Sequence, residues 1–160
     1  MTETLTKHER NLSAIIHAST FSKYFIPFGN FIIPLVLWTA NKKEYEFVDY
    51  NGKQALNFQI SILLYSILIG MISIPFFIGG LIPNIFDFDH FGFSTFSHLN
   101  SVNFHFDSDH FFGPWMIPAG VLVFAQSALF IINIIYTILA TIRTNEGQYF
   151  SYPLTIKFIK

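Results

Sequence analysis

Residues 54–86 read QALNFQISILLYSILIGMISIPFFIGGLIPNIF and contain no Asp, Glu, Lys or Arg. A second stretch without these charged residues covers residues 110–142. Each stretch is longer than the roughly 20 apolar residues that an α-helix needs to cross a bilayer. The sequence therefore predicts an all-α, polytopic helical membrane protein whose two long transmembrane helices occupy residues 54–80 and 115–142.

The composition of the 160-residue chain agrees with one membrane domain over residues 1–160. Only 12% of the residues are charged and 52% are hydrophobic, whereas about 25% charged residues is usual in a soluble domain. The net charge of −1 and the lack of a basic stripe argue against a nucleic-acid partner. The absence of cysteine excludes disulfides, thiol catalysis and thiolate metal sites. Membrane lipid is therefore the first predicted partner.

The first apolar region, residues 12–38, is broken near its middle. Lys23 lies inside it, and the segment Ile26-Pro27-Phe28-Gly29-Asn30 follows. Proline removes a helical hydrogen bond, and the Gly-Asn pair favours a turn. Two interpretations fit this pattern: one kinked span, or a hairpin of two short helices.

The basic residues indicate which ends of these segments face the cytoplasm. None of the nine Lys and Arg residues lies within residues 54–142, and basic flanks mark the cytoplasmic side of a membrane protein. Basic residues stand before the first apolar region, at residues 7–10, and after it, within residues 39–53. Both flanks are cytoplasmic only if residues 12–38 cross twice or re-enter, which favours the hairpin.

The same charge bias predicts the topology of the rest of the chain. The protein is expected to be a multi-pass protein of the bacterial inner (cytoplasmic) membrane, with both termini cytoplasmic. The tail, residues 143–160, then lies in the cytoplasm. An outer loop, residues 81–114, faces the opposite side.

Several polar side chains lie within the apolar segments and need hydrogen-bond partners there. They mark either helix–helix contacts or a water-filled path, and these candidate residues are Asn57, Gln59, Gln126, Asn133 and Thr137. The last three recur on one face of a helix. Asn57 or Gln59 could hold the broken segment 27–30 or the tail near residues 152–153. His17 could be a packing residue or a proton carrier, but the charge-free stretches hold no carboxylate for a relay.

The outer loop contains the repeated pattern Phe-Asp-x-Asp-His-Phe, at residues 86–91 and 106–111. Carboxylates and imidazoles together suit Zn, Mn, Ni or Cu(II), and the candidate ligands are Asp87, Asp89, His90, His105, Asp107, Asp109 and His110. Alternatively, the phenylalanines dock onto the bilayer interface or another subunit, and these candidates are Phe88, Phe91, Phe106 and Phe111. We favour docking as the main role. No cofactor other than a divalent metal is indicated.

Four motifs together resemble a family of small bacterial membrane proteins. They are YFIPFGN at 24–30, PLVLW at 34–38, FVDYNGKQALNFQ at 47–59 and NEGQYFSYPLTIKF at 145–158. This order is similar to that of the Tic-twenty-like proteins, which are named for distant similarity to the channel subunit of the chloroplast inner-envelope import translocon. The likeness covers residues 8–80 and 114–160. Residues 82–113 look like an insertion, and Asp49-x-Asn51-Gly52 reads as a turn and cap before the second helical region.

The resemblance implies four membrane-embedded helical segments and a context of protein translocation or membrane-protein biogenesis. We therefore predict a non-enzymatic subunit or accessory factor of a larger membrane complex, with other membrane protein subunits as partners. The alternative is a small transporter or metal-handling membrane protein that uses the Asp/His-rich outer loop. An enzyme is not predicted, because the apolar segments hold no nucleophile–base set or phosphate-binding glycine loop.

Overall fold

The computed structural model of the protein describes residues 5–81 and 116–160, without the side chains of residues 77–81. The described residues contain no strand. They form α1, Lys7–Ala18; a 3-10 helix, Ser19–Tyr24; α2, Gly29–Asn41; α3, Glu46–Leu81; and α4, Met116–Asn145. The predicted all-α class is confirmed.

Two of these helices are long and apolar enough to cross a membrane, by length and composition. The candidate spans are Glu46–Phe76 within α3 and Met116–Asn145, which is α4. α3 begins eight residues earlier than the predicted stretch, with Glu46 and Asp49 in its first turn, where carboxylates favour the helix dipole. α4 ends before Gly147, whose φ of 85° places it in the left-handed region that closes helices.

The N-terminal region is a helical hairpin. Thr6 and Glu9 form a capping box that begins α1. α2 packs back against the 3-10 helix and α1. Phe28, with a φ of 59°, makes the turn into α2, and Gly29 lies so close to Ser22 that a Cβ would be 2.8 Å from the Ser22 carbonyl oxygen. The breaker segment therefore forms the turn of a hairpin.

α2 is fixed to α3 through the Trp38 indole. Trp38 Nε1–H donates to Asp49 Oδ1 at 2.9 Å, and the Lys42 ammonium lies 4.3 Å from the ring centroid. Gly52 lies beneath the ring, where a Cβ would overlap the indole. The predicted turn and cap at Asp49-x-Asn51-Gly52 is therefore wrong, because these residues lie inside α3 and the glycine makes room for Trp38.

The chain divides into two compact units, Met1–Tyr65 with Leu129–Lys160, and Ser66–Ala128. The first unit has two clusters of buried apolar side chains. One contains Ile16, Trp38, Val48, Ala55 and Leu56, and the other contains Phe58, Ile62, Ala140 and Tyr152. In the second unit many large apolar side chains of α3 and α4 are exposed, among them Met71 and Phe124. The buried polar residues described next belong to the first unit.

Candidate functional site: buried polar networks and a clasped tail

A buried hydrogen-bond network is centred on His17 of α1. The His17 Nδ1 lies 2.9 Å from the Tyr152 hydroxyl, and its Nε2 lies 3.3 Å from Asn51 Oδ1. Thr144 Oγ1 donates to the same Asn51 oxygen at 3.3 Å. Asn51 Nδ2 donates to the Phe47 carbonyl at 2.9 Å, which fixes the orientation of the amide. The network thus joins α1, α3, α4 and the tail.

The chemistry of the partners assigns the proton on the imidazole. Asn51 Oδ1 can only accept, so Nε2 carries the hydrogen and Nδ1 accepts from the Tyr152 O–H. His17 belongs to α1, which is not one of the two candidate spans, and it lies level with Asn51 and Thr144, near the charged ends of those spans. Burial lowers the pKa of His17 to about 4, and burial raises the pKa of Tyr152 above its usual range. Both side chains are therefore neutral at pH 7, which favours packing over proton transport as the role of His17.

Acid is expected to destabilise the first unit through His17. Because its pKa is lower in the folded protein than the ordinary 6.5, the unfolded chain binds more protons below that value. The neutral His17 side chain makes its full contribution to the free energy of unfolding above pH 6.5. This contribution is lost as the pH falls towards 4, by roughly 3 kcal/mol in total. Unfolding in detergent micelles at stepped pH measures this loss. The His17→Gln variant should lose stability less steeply over that interval, and an equal slope in both proteins would contradict the assignment.

A second network of amides links the hairpin to α3 and α4. Asn30 Nδ2 and Asn133 Nδ2 both donate to Gln59 Oε1 at 3.2 Å. Thr137 Oγ1 donates to Asn133 Oδ1 at 3.4 Å. Of the predicted helix-contact residues, the structure thus brings together Gln59, Asn133 and Thr137. Gln126 is exposed and belongs to the other compact unit.

The C-terminal tail folds back onto α3 instead of extending away from it. The Tyr152 ring stacks on Phe58 with centroids 4.1 Å apart and planes 13° from parallel. Leu154, with a φ of 62°, reverses the chain direction. The chain then returns along α3 from the level of Tyr65 to the level of Asn57. The segment is extended and would leave its backbone groups unpaired without partners on α3.

Three side chains of α3 supply those partners. Asn57 Oδ1 accepts from the backbone N–H groups of Phe158 at 3.1 Å and Ile159 at 2.8 Å, and its Nδ2 donates to the Ile159 carbonyl at 2.9 Å.

Further along the same face, Ser61 Oγ accepts from Ile156 N–H at 2.9 Å, and the Tyr65 hydroxyl donates to the Leu154 carbonyl at 3.0 Å. Asn57, Ser61 and Tyr65 are spaced four residues apart and share one helix face. We call these three residues the tail clasp. Only Asn57 was among the residues predicted from the sequence, although the spacing of the three polar side chains marks such a face.

Replacing Asn57 with leucine is expected to loosen the tail. The change keeps the side-chain size but leaves two backbone N–H groups and one carbonyl without partners, each costing about 1–3 kcal/mol if still buried. The tail should detach, and amide hydrogen exchange at Phe158 and Ile159 should become at least about tenfold faster. Ser127→Ala is the control, because Ser127 Oγ only donates to the Val123 carbonyl within exposed α4. Unchanged exchange in the Asn57 variant would show that the clasp does not hold the tail.

Metal binding has no candidate site within residues 5–81 and 116–160, where no group of three or more His, Cys, Asp or Glu side chains could hold an ion. The predicted metal ligands of the outer loop lie outside the described residues, and they are Asp87, Asp89, His90, His105, Asp107, Asp109 and His110. The predicted docking residues also lie outside them, and they are Phe88, Phe91, Phe106 and Phe111. Both assignments stay predictions.

Comparison with known proteins corrects the family resemblance. A family model described as the magnetosome magnetite crystal formation protein family, MamF/MmsF, matches residues 8–159. No curated protein and no solved structure matches the chain. The resemblance to the Tic-twenty-like family is therefore wrong, and the translocation context that rested on it is not supported. The quoted motifs contain Gly29 and Gly52, which make room for Ser22 and Trp38, and Asn57, which holds the tail. The chain belongs to the magnetosome magnetite crystal formation protein family.

Proposed function

We propose that this chain is a small, non-enzymatic integral membrane protein that acts as an accessory factor in magnetite crystal formation. The family match over residues 8–159 carries the proposal. α3 and α4 support the membrane location, since both have the length and composition of membrane-crossing helices. We place the protein in the bacterial inner membrane or the magnetosome membrane, among other membrane protein subunits.

The non-enzymatic role is supported by how the buried polar groups are used. His17, Asn51 and Tyr152 satisfy one another, and Gln59 is shared between Asn30 and Asn133. Buried polar side chains that are hydrogen-bonded to one another in this way stabilise the contacts between helices. The Tyr152 hydroxyl and the His17 imidazole are hydrogen-bonded, but both side chains are buried, so a substrate cannot reach this hydroxyl–base pair.

The proposed topology places the N-terminus, the α2–α3 connection and the end of α4 on the cytoplasmic side, and the outer loop on the other side. From the cytoplasmic side the tail runs along α3 as far as Tyr65 and returns to Asn57. Because the chain has no cysteine, single cysteines report the side directly. In intact spheroplasts, an impermeant thiol reagent should label Ser101→Cys but not Thr4→Cys, Glu44→Cys or Glu146→Cys. Labelling at Thr4 with protection at Glu146 would instead support one crossing by the first apolar region. Thr144 is unsuitable as a reporter, because it is fully buried.

The mineral function is tested in a magnetite-forming bacterium that lacks its own members of this family. Expression of the chain should change the size or number of the crystals measured by electron microscopy. The matched negative control is Gly52→Leu, whose fold should be disrupted, and Gly70→Ala is the folded control. Crystals indistinguishable from those of the empty strain, with the protein present in the membrane, would contradict the proposal.

A second candidate function is metal handling by the outer loop. Magnetite is an iron oxide, and residues 81–114 hold four Asp and four His but no Lys or Arg. Carboxylate oxygens and imidazoles suit divalent transition metals, iron included. Replacing the four loop Asp residues with Asn should then remove bound iron from the purified protein, as measured by elemental analysis. Iron retained at the parent level would rule out this use of the loop.

The hypothesis that the loop phenylalanines dock onto a partner predicts a different result. Changing Phe91 and Phe111 to Ser should leave bound metal unchanged but reduce recovery of partner subunits in mild detergent, because aromatic side chains often anchor protein interfaces. Loss of metal with full partner recovery would favour the metal function instead. The two variants therefore separate the two roles of the same loop.

A further inference from the structure

The turn of the N-terminal hairpin presents large apolar side chains that no part of the described chain covers. Phe25 is 87% exposed and Phe28 is 70% exposed. Tyr24 and Ile26 are each about half exposed. We call residues 24–28 the hairpin tip. On a soluble protein, a cluster of this kind marks an interaction surface. In this protein, the position of the tip along the long helices decides whether lipid or water surrounds it.

Contacts with α4 set that depth. The Tyr24 ring lies 6.4 Å from the Phe130 ring, edge to face, and the Lys23 ammonium lies 5.9 Å from the same ring. Phe130 stands at the middle of α4, Met116–Asn145, about 20 Å from either end at 1.5 Å per residue. If α4 crosses the bilayer, the hairpin tip lies near its midplane.

The last turn of α1 and the last turn of α2 lie level with the charged ends of the long helices. His17 contacts Asn51, and Trp38 contacts Asp49, which pairs with Lys53 at 2.6 Å. The arms between these levels and the tip are the 3-10 helix, with six residues, and α2, with 13, which correspond to about 12 and 20 Å. This length covers about half of a hydrocarbon core that is roughly 30 Å thick, with some length in the headgroup region.

We infer that the 3-10 helix and α2 form the re-entrant part of the hairpin, which enters the bilayer from the side of Lys53 and Arg143 and turns near the midplane, with α1 at the headgroup level, so that the hairpin tip contacts the acyl chains of lipid. The inference rests on the proposed function only in that α3 and α4 must cross the membrane. It assigns the exposed rings of Phe25 and Phe28 to lipid, and the whole hairpin to one leaflet.

Three backbone N–H groups at the tip and at Gly29 are paired within the hairpin. The N–H groups of Phe25 and Ile26 donate to the Ser22 carbonyl, at 3.0 and 2.9 Å, and Gly29 N–H donates to the Ile26 carbonyl at 2.9 Å. Pro27 has no N–H group to satisfy. Hydrocarbon tolerates a turn only when such groups are paired within the protein.

Lys23 is the one Asp, Glu, Lys or Arg residue between Ser19 and Asn41, and two aromatic rings lie beside its ammonium. Its ammonium lies 5.2 Å from the Tyr24 centroid and 5.9 Å from the Phe130 centroid. The faces of both rings attract a cation, and this attraction is strongest away from water. Its flexible stem also allows the ammonium to reach towards headgroups. The lysine is therefore compatible with insertion.

Nitroxide labels measure the depth of the tip directly. The cysteine-free protein is labelled singly at Phe25→Cys, at Ile131→Cys beside the middle of α4, or at Glu44→Cys in the α2–α3 connection. It is then placed in phosphatidylcholine–phosphatidylglycerol vesicles. Collisions with oxygen and with a water-soluble nickel chelate give the depth. We expect Phe25 to match Ile131 within one helical turn, about 5 Å, and Glu44 to be aqueous. A label at Ile26→Cys should give the same depth if the Phe25 change disturbs the turn.

Three results would overturn the inference. Aqueous values at both Phe25 and Ile26, with Ile131 deep, would reject the re-entrant hairpin while leaving the membrane location intact. Aqueous values at Ile131 as well would reject the membrane proposal and the hairpin with it. Spin–spin broadening confined to the tip labels would show that a second copy of the chain, not lipid, covers the tip.

Discussion

Replacing His17 with alanine is expected to lower the free energy of unfolding by about 4 kcal/mol. The change removes a fully buried ring and leaves the Tyr152 hydroxyl and Asn51 Oδ1 without one partner each. Truncating a large buried side chain costs about 3–5 kcal/mol, and an unsatisfied buried polar group costs about 1–3 kcal/mol. Denaturant titration in detergent micelles, followed by circular dichroism, measures the loss.

His8→Ala is the matched control for this variant. His8 stands in the same helix, is exposed, and makes only an edge contact with the Tyr45 ring, 5.7 Å between centroids. Its replacement should change the stability by less than about 0.5 kcal/mol. The double variant His17→Ala with Tyr152→Phe should lose less than the two single variants added together, because they share one hydrogen bond. Additive losses would show that the Tyr152–His17 contact contributes nothing.

Replacing Gly52 with leucine is the second change of large expected effect. Any side chain at this position overlaps the Trp38 indole, so the ring must leave α3 and lose its hydrogen bond to Asp49. Displacing a buried tryptophan costs about 3–5 kcal/mol, and the better helix propensity of leucine offsets only about 1 kcal/mol of it. We expect a net loss of about 3 kcal/mol, with Trp38 fluorescence shifted to longer wavelength.

Gly70→Leu is the control for Gly52→Leu, since it makes the same chemical change in the same helix. A Cβ at Gly70 meets no atom within 4 Å, so this variant should be neutral or gain up to about 1 kcal/mol from helix propensity. Similar stabilities for the two leucine variants would refute the close packing of α2 on α3. If the Gly52→Leu variant lost stability without a change in tryptophan fluorescence, displacement of Trp38 would not be the cause of that loss.

The motifs that carried the mistaken family resemblance contain packing residues. Segments such as 24–30 and 47–59 contain the glycines that let Ser22 and Trp38 approach neighbouring backbone. Residues of this kind identify how helices fit together, and different functions can be built on the same packing. Only the match across residues 8–159 distinguished the magnetosome family.

The sequence by itself determined the helical class, the two long apolar helices and the break before α2. These features depend on local properties, namely runs of apolar residues and the backbone preferences of Pro27 and Gly29. Each of these signals comes from residues that are neighbours in the sequence. The same local logic failed at Gly52. A glycine weakens a helix by about 1 kcal/mol, yet the packing of Trp38 requires it inside α3.

Only the tertiary structure decided which polar groups meet. His17 and Tyr152 are 135 residues apart in the chain, and Asn57 is 102 residues from Ile159. From the sequence, Asn57 and Gln59 were equal candidates to hold the tail or the hairpin. The structure assigns Asn57 to the tail and Gln59 to Asn30, because residues two apart on a helix point to different faces. Which face meets which segment depends on how the helices pack, and no local pattern contains that information.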